Sequence, residues 1–283
     1  MKRYAIRIGE CYAMQRSVLD TVERDSAGFF ISFGSEPTPN EARGTVAVVH
    51  IRGALAQFRG EGGDSYEDII ARVTAAVTAD PKPTALVLAI SSPGGLVAGL
   101  NETVFALQRL RVASGVPFIA QINELAASAA FALCCACDRR FAPASGIAGS
   151  IGTISTMASQ HRRDVAEGID YVIITSGERK ADGHPHQPIS TAAIKAEKAR
   201  NDQLAEQFFA LAAKALRASP RKLAALQASI YVGENALKVG LINAVQSLDE
   251  TIAGLDRSDS ASPPPAPNEG NITDRRAKER TAA

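Results

Sequence analysis

Runs of β-branched and aliphatic residues alternate along the chain with stretches in which apolar residues recur every three or four positions. Residues 45–51 (TVAVVHI) are almost continuously apolar, the pattern of a strand covered on both faces, and Gly53 closes the run. From Asp64 to Ala79 the apolar spacing is that of a helix. Ile69, Ile70, Val73, Ala76 and Val77 share one side, and Asp64 or Ser65 is available as its cap. A second buried strand is expected at 85–90 (ALVLAI). It runs into the turn Ser91-Ser92-Pro93-Gly94-Gly95 and then a helical pattern over 98–112.

A third strand at 118–122 precedes a helix of small residues at 126–137, and short strands are expected at 139–142 and 152–157, around the glycine turn 146–152. A short helix at 162–167 leads to another buried strand at 170–175 (DYVIIT). One long amphipathic helix spans 189–216, with Ile194, Ala205, Phe208, Phe209, Leu211 and Ala212 as its apolar positions among charges. A helix of that length is suited to meeting another subunit. Strands alternating with helices predict an α/β fold, a parallel sheet with helices on its faces and right-handed crossovers.

The two ends read differently. Residues 1–43 mix charge with short apolar pieces and close in a turn-rich stretch, so a loose N-terminal extension is expected before a domain at 44–255. From 256 to 283 the chain is rich in Ser, Pro and charge, with Ile272 the only bulky apolar residue beyond Pro267. Such a tail cannot bury enough to offset the cost of ordering, and disorder is expected there.

Composition narrows the function. The chain has 283 residues, 46% of them hydrophobic and 22% charged, the balance of a globular protein. Lys and Arg number 31 against 30 Asp and Glu, so the net charge of +1 supplies no long-range attraction to nucleic acid or anionic lipid. With no Trp and 5% aromatic residues there is little material for base stacking either, and no nucleic-acid partner is expected. The N-terminal residues lack the apolar core of a signal peptide, and no run approaches the roughly 18 apolar residues of a membrane span. Three of the four cysteines crowd into Cys134-Cys135-Ala136-Cys137, which is not a disulfide framework. These features point to a reducing, cytoplasmic setting with no membrane partner.

Candidate chemistry lies at the strand ends. Ser91-Ser92-Pro93-Gly94-Gly95 sits where a parallel strand gives way to a helix, the place where α/β folds put ligands. Its glycines either permit a strained turn or leave backbone N–H groups bare for a developing oxyanion. Ser128, in Ala126-Ala127-Ser128-Ala129-Ala130, is either a helix cap or a nucleophile at the mouth of the sheet, with the Ala129 N–H beside it. A nucleophilic serine needs a base. Of the four histidines, His50 lies in a strand and lacks an evident Asp partner, His161 lies near a helix start, and His184 and His186 lie in a loop, so a Ser-His-Asp triad has no support in the sequence. A lysine base is the other option, and Lys180 follows the strand expected at 170–175. A free lysine with a pKa of about 10.4 is almost wholly charged at neutral pH, so one acting as a base must be desolvated. A metal site from Cys134, Cys137 and the two loop histidines is disfavoured, because the cysteines fall within an Ala-rich helical pattern and no second C-x-x-C exists. No cofactor or metal is expected.

Six segments in order, VAVVHIRGAL, SSPGG, ELAASAAFALCCACD, GSIGT, SGERKADG and YVGENALKVGLINAV, resemble the signal peptide peptidase A family of serine peptidases, most closely its phage and prophage head-maturation branch. The likeness runs from about Thr45 to about Val245. It implies a fold similar to the Clp protease and crotonase superfamily, a spiral of ββα units with a long helix near the C-terminal end. It also implies Ser128 as nucleophile, Lys180 as general base, and Gly94, Gly95 and Ala129 as the oxyanion hole. The expected activity is that of a Ser-Lys endopeptidase working inside a phage procapsid in the bacterial cytoplasm. Its substrates would be scaffold, portal or capsid proteins, and the chain itself, and its assembly a ring-like homo-oligomer, in some members with serine and lysine from different subunits. Many bacterial members have Ser-Gly-Gly where this chain has Ser128-Ala129-Ala130. Other readings are a cytosolic bacterial protease of the same family, an acyl-CoA enzyme of the superfamily using Glu102 or Glu124, and an inactive assembly protein.

Overall fold

A computed structural model describes residues 40–58 and 63–257, together with the backbone of four short strands nearer the N-terminus. Those four are β1 (Arg3–Ile6), β2 (Cys11–Met14), β3 (Glu23–Asp25) and β4 (Gly28–Ser32). In the middle of the main sheet β6 (Val46–Arg52), β7 (Ala85–Ser92) and β9 (Phe118–Ala127) lie side by side and parallel. The short strand β5 (Glu41–Arg43) extends the sheet antiparallel to β6, so the main sheet starts a little before residue 44.

Strand β9 serves two partners. Its first half pairs in parallel with β10 (Arg139–Ala142), and its last residues, Leu125 to Ala127, pair in parallel with β11 (Ile147–Gly149). Beyond these, β14 (Ala244–Val245) runs parallel to β10, and β13 (Ile230–Val232) runs antiparallel to β11. The α/β sheet expected from the alternation of elements is present, parallel through its middle as expected, with antiparallel strands β5 and β13 at its edges.

Side-chain alternation along the strands sorts the apolar residues between two cores. Val49, Ile51, Leu86, Leu88 and Ile90 face α1 (Tyr66–Val77), α2 (Leu100–Ser114) and α3 (Ala129–Cys134) in the larger one. Val46, Val48, Val87, Ala89 and Ile119 face the opposite way and pack with Phe141 and with Ile252 of α8 (Leu248–Arg257). That explains why these strands read as continuous apolar runs. Burying each such side chain contributes about 1.5–3 kcal/mol.

The cap of α1 is decided between the two candidates. Ser65 Oγ accepts the Asp68 N–H at 3.0 Å, whereas the buried Asp64 carboxylate accepts the Arg52 N–H at 2.8 Å and pairs with Arg72 at 2.8 Å. Asp64 thus ties the start of the helix to the end of β6.

Four expectations change. The strand expected at 118–122 continues to Ala127, and the helix expected from 126 begins at Ala129, which leaves Ser128 alone at the junction. The strand expected at 152–157 is reduced to β12 (Ile154–Ser155). Residues 170–175 form neither strand nor helix: Val172 is 85% and Ile174 90% exposed, and among the described residues no strand edge receives this apolar run. The N-terminal extension, expected to be loose, contains paired strands. β1, β4 and β3 form a small antiparallel sheet, and β2 lies between β8 (Gly94–Leu96) and β12.

Two short helices, α4 (His161–Ala166) and α6 (Pro220–Ala224), flank the 26-residue α5 (Thr191–Leu216), and α7 (Gly233–Lys238) follows. Ser190 Oγ caps α5 by accepting the Ala193 N–H at 3.0 Å. Its buried residues apart from Ala193 are Phe208, Leu211, Ala212 and Ala213, all in its second half. Asp256 and Arg257 complete α8, and the rest of the tail expected to be disordered lies outside the described residues.

Candidate active site

Strand β9 delivers Ser128 to the top of the sheet. The Ser128 N–H donates to Gly149 O at 2.8 Å, carrying the β9–β11 ladder one residue further, and its carbonyl then accepts the Ala132 N–H at 3.0 Å as the first bond of α3. Joining a strand directly to a helix in one residue forces φ 55 and ψ −118 on Ser128. A non-glycine residue held in such a sparsely populated region costs roughly 1–3 kcal/mol. The surroundings enforce it: Ala126, Ala127, Ala129 and Ala130 are all fully buried, and only small side chains permit that packing. The alternative of a helix cap is removed, since Ser128 makes no side-chain bond to the helix start. Its Oγ instead donates to Gly152 O at 3.2 Å.

The glycine turn stands beside it, because Ser92 is the Cα partner of Ala126 across β7 and β9. Each glycine has its own reason. Gly94 adopts φ 106, which side chains rarely tolerate, and a Cβ on Gly95 would sit 1.9 Å from the Leu55 carbonyl oxygen. The buried Ser92 organises the turn. Its Oγ donates to Gly53 O at 2.7 Å and accepts the Gly94 N–H at 3.2 Å. Leu55 donates to Gly94 O at 2.9 Å and accepts the Leu96 N–H at 2.8 Å. The alternation of a strand then turns the N–H and C=O of Gly95 to the other side, away from Leu55. Of the three expected oxyanion donors, Gly94 has its N–H engaged by Ser92, Gly95 turns its N–H to the side where β2 pairs, and Ala129 heads α3, where the first N–H groups lack intrahelical acceptors.

Lys180 has a different environment. It is exposed in a turn closed by its N–H donating to Gly177 O at 3.0 Å, and among the described residues its side chain has no hydrogen-bonding or ion-pair partner. Ser128 and Lys180 of one chain are not hydrogen-bonded. The segment from Ile169 to Lys180 is exposed almost throughout, with Tyr171, Val172 and Ile174 facing outward.

The other candidates have structural roles. His186 Nδ1 lies 2.9 Å from Oδ2 of the buried Asp164, and its ring stacks on Tyr171 with centroids 3.9 Å apart, so the pair fastens the histidine loop to α4. His50 is buried in β6, 3.3 Å from Glu41, and desolvation lowers its pKa despite that carboxylate. Cys134, Cys135 and Cys137 are buried and reduced. Burial pushes the thiols of Cys135 and Cys137 up to about 12 and that of Cys134 well upward, which makes them inert packing groups. No cluster of metal-ligating side chains occurs among the described residues, and none of their helices is long and apolar enough to cross a membrane. Glu102 and Glu124 are both exposed. A cavity of about 480 Å³ borders β5 and the loop 79–83, with none of the Ser128 neighbours in its lining.

Three residues of the site escaped the sequence reading. Ser92, Gly53 and Gly152 were visible as parts of SSPGG, HIRGAL and GSIGT, but their roles are hydrogen bonds across the chain, which spacing does not reveal.

Ser128 thus stands at positive φ between a parallel strand and a helix, with the SSPGG turn alongside, at the kind of strand-to-helix junction where α/β folds place ligands. The chain belongs to peptidase family S49, whose model matches residues 111–261 and so takes in both Ser128 and Lys180. It is 28% identical over 209 residues to the head-tail preconnector protein GP5 of Enterobacteria phage P21, covering 74% of this chain and 41% of that protein. It is 26% identical over 231 residues to the capsid assembly protease C of Escherichia phage lambda, covering 77% and 52%. Against protease 4 of Salmonella typhi it is 26% identical over 226 residues, covering 76% and 35%. The chain therefore spans about half or less of the length of these relatives. Among solved structures, a ClpP1 mutant from Listeria monocytogenes aligns at 16% identity with a TM-score of 0.47, covering 74% of this chain and 94% of that one.

Proposed function

We propose that the chain is a serine endopeptidase in which Ser128 is the nucleophile and Lys180 of a neighbouring subunit is the general base. The observation that carries this is the strained backbone of Ser128, which caps nothing and presents its Oγ beside the glycine turn. Lys180 as partner is supported by family membership and by the matched segment that contains it. Ser128 Oγ attacks the scissile carbonyl carbon while neutral Lys180 Nζ takes its proton. The resulting oxyanion is held by the N–H groups of Gly95 and Ala129, with Gly94 and Ser92 fixing the turn. Lys180 returns the proton to the leaving amine as the C–N bond breaks. Water, deprotonated by the same lysine, then releases the acyl group from Ser128.

Assembly supplies what one chain lacks. A lysine exposed to water stays charged, and a second subunit seated on the apolar stretch at Ile169 to Ile174 would desolvate it and bring it to another chain's serine. The largely exposed first half of α5 offers further surface for a ring of copies. The relatives named as a capsid assembly protease and a head-tail preconnector protein support the procapsid of a phage, in the host cytoplasm, as the place of action. Scaffold, portal and head proteins, and the chain itself, are the substrates proposed. Exposed and unpaired with each other in the site, Glu102 and Glu124 give the acyl-CoA reading no support.

The test is intact-mass analysis of partner head and scaffold proteins coexpressed with the wild type, Ser128→Ala or Lys180→Ala. The wild type trims them and each variant does not. Coexpressing the two variants restores about a quarter of the activity if serine and lysine come from adjacent copies in a randomly mixed ring. Full cleavage by either variant alone overturns the dyad, and no rescue in the mixture places both residues in one subunit.

A further inference from the structure

The N-terminal strand β2 occupies an unusual place. It forms a three-stranded antiparallel sheet with β8 on one side and β12 on the other, pairing Tyr12 with Leu96 and Ile154, Ala13 with Gly95, Met14 with Gly94 and Cys11 with Ser155. Both outer strands lead directly into the surroundings of Ser128. β8 opens with the glycine turn beside Ala126, and β12 follows Gly152, whose carbonyl holds Ser128 Oγ. Without β2, the facing edges of β8 and β12 would have no backbone partner in this sheet. An extended peptide entering as an antiparallel strand is the ligand that such a pair of edges takes.

The register sharpens this. Gly95 turns its N–H and C=O toward β2, so Gly95 and Ala13 are the pair that exchanges backbone hydrogen bonds. The Ala13 carbonyl therefore lies against the N–H proposed above as an oxyanion donor. Resting on the peptidase reading for the identity of the track, we infer that residues Cys11 to Met14 are a built-in occupant of the substrate-binding strand position between β8 and β12. A substrate peptide must displace this segment before it can reach Ser128. The occupant is joined to both neighbours by main-chain pairing, which any extended segment can offer in its place.

The experiment uses the full chain and reads binding separately from cleavage. A fluorescein-labelled peptide copying residues 9–16 is titrated into Ser128→Ala and into Ser128→Ala/Ala13→Pro. Proline at 13 removes the N–H that pairs with Gly95. The double variant is expected to bind the peptide at least tenfold more tightly, and amide hydrogen exchange at Gly95, Leu96 and Ile154 to speed up when no peptide is present. Equal affinity in the two proteins, with unchanged exchange at those amides, overturns the proposal. An Ala13→Gly partner, which keeps the N–H, should bind like the parent; if it too binds tightly, the effect is not one of pairing and the proposal fails. The peptidase reading stands or falls elsewhere: peptide binding that responds to Ala13→Pro, with no Ser128-dependent cleavage by the Ala13→Pro chain, would sink the activity and leave the occupied track intact.

Discussion

At the residue scale the site is built from conformations that most sequences avoid. Ser128 is a strand residue, a turn and a helix start at once, and the small side chains around it are what permit the positive φ. His50 is a second residue whose environment opposes its charge. Burial in β6 lowers its pKa below 6.5, against the pull of Glu41 and with a smaller push from Arg52 and Arg43. The unfolded chain therefore binds that proton first as pH falls. The stability this histidine contributes is complete above pH 6.5 and is lost as pH drops toward its folded value. Denaturant midpoints measured at about pH 7.5 and 5.5 should fall for the wild type and fall less for His50→Gln. An equal drop in both would assign the acid sensitivity to other groups.

At the scale of elements, β8 shows how one short strand joins structure to chemistry. Leu55 holds one edge of it, Tyr66 Oη donates to Leu96 O at 2.6 Å, and β2 pairs along the other edge. Gly95 lies so close to Leu55 that a methyl group would meet backbone oxygen at 1.9 Å. Gly95→Ala should thus displace β8, at a stability cost of about 1–3 kcal/mol by analogy with overpacking. Cleavage should fall at least tenfold, more than unfolding alone explains. Urea titration alongside a cleavage assay separates the two, and an active, normally stable Gly95→Ala would show that β8 has slack. In sequence the two adjacent glycines were legible as a turn. Their separate reasons were not, because one concerns φ and the other a carbonyl some forty positions away.

At the scale of the molecule, one described chain does not by itself assemble the proposed dyad. It keeps Ser128 buried and Lys180 in solvent, and it leaves Val172 and Ile174 uncovered beside the lysine segment. Exposed apolar runs of this kind mark contact surfaces. Val172→Asp and Ile174→Asp should convert the proposed oligomer to a monomer in light-scattering chromatography and abolish cleavage. Thermal stability of the single chain should shift by no more than about 0.5 kcal/mol, as for other surface substitutions. An intact oligomer in both variants would remove this surface from the assembly.

The sequence by itself determined the layered α/β class, the strands that are apolar on both faces, and the order of motifs that led to Ser128, Lys180 and the glycine turn. Those features depend on local spacing and on which residues can be buried, and both are written in the chain. It also carried the apolar signal at 170–175, but a strand signal states only that a segment can be covered, not by which molecule. Only the tertiary structure decided that β9 runs on to Ala127 and throws Ser128 into a strained turn, that Ser92 rather than solvent receives the Gly94 N–H, and that β2 fills the gap between β8 and β12. Each of these is a pairing between segments far apart in sequence, settled by which backbone groups find partners once the core has closed.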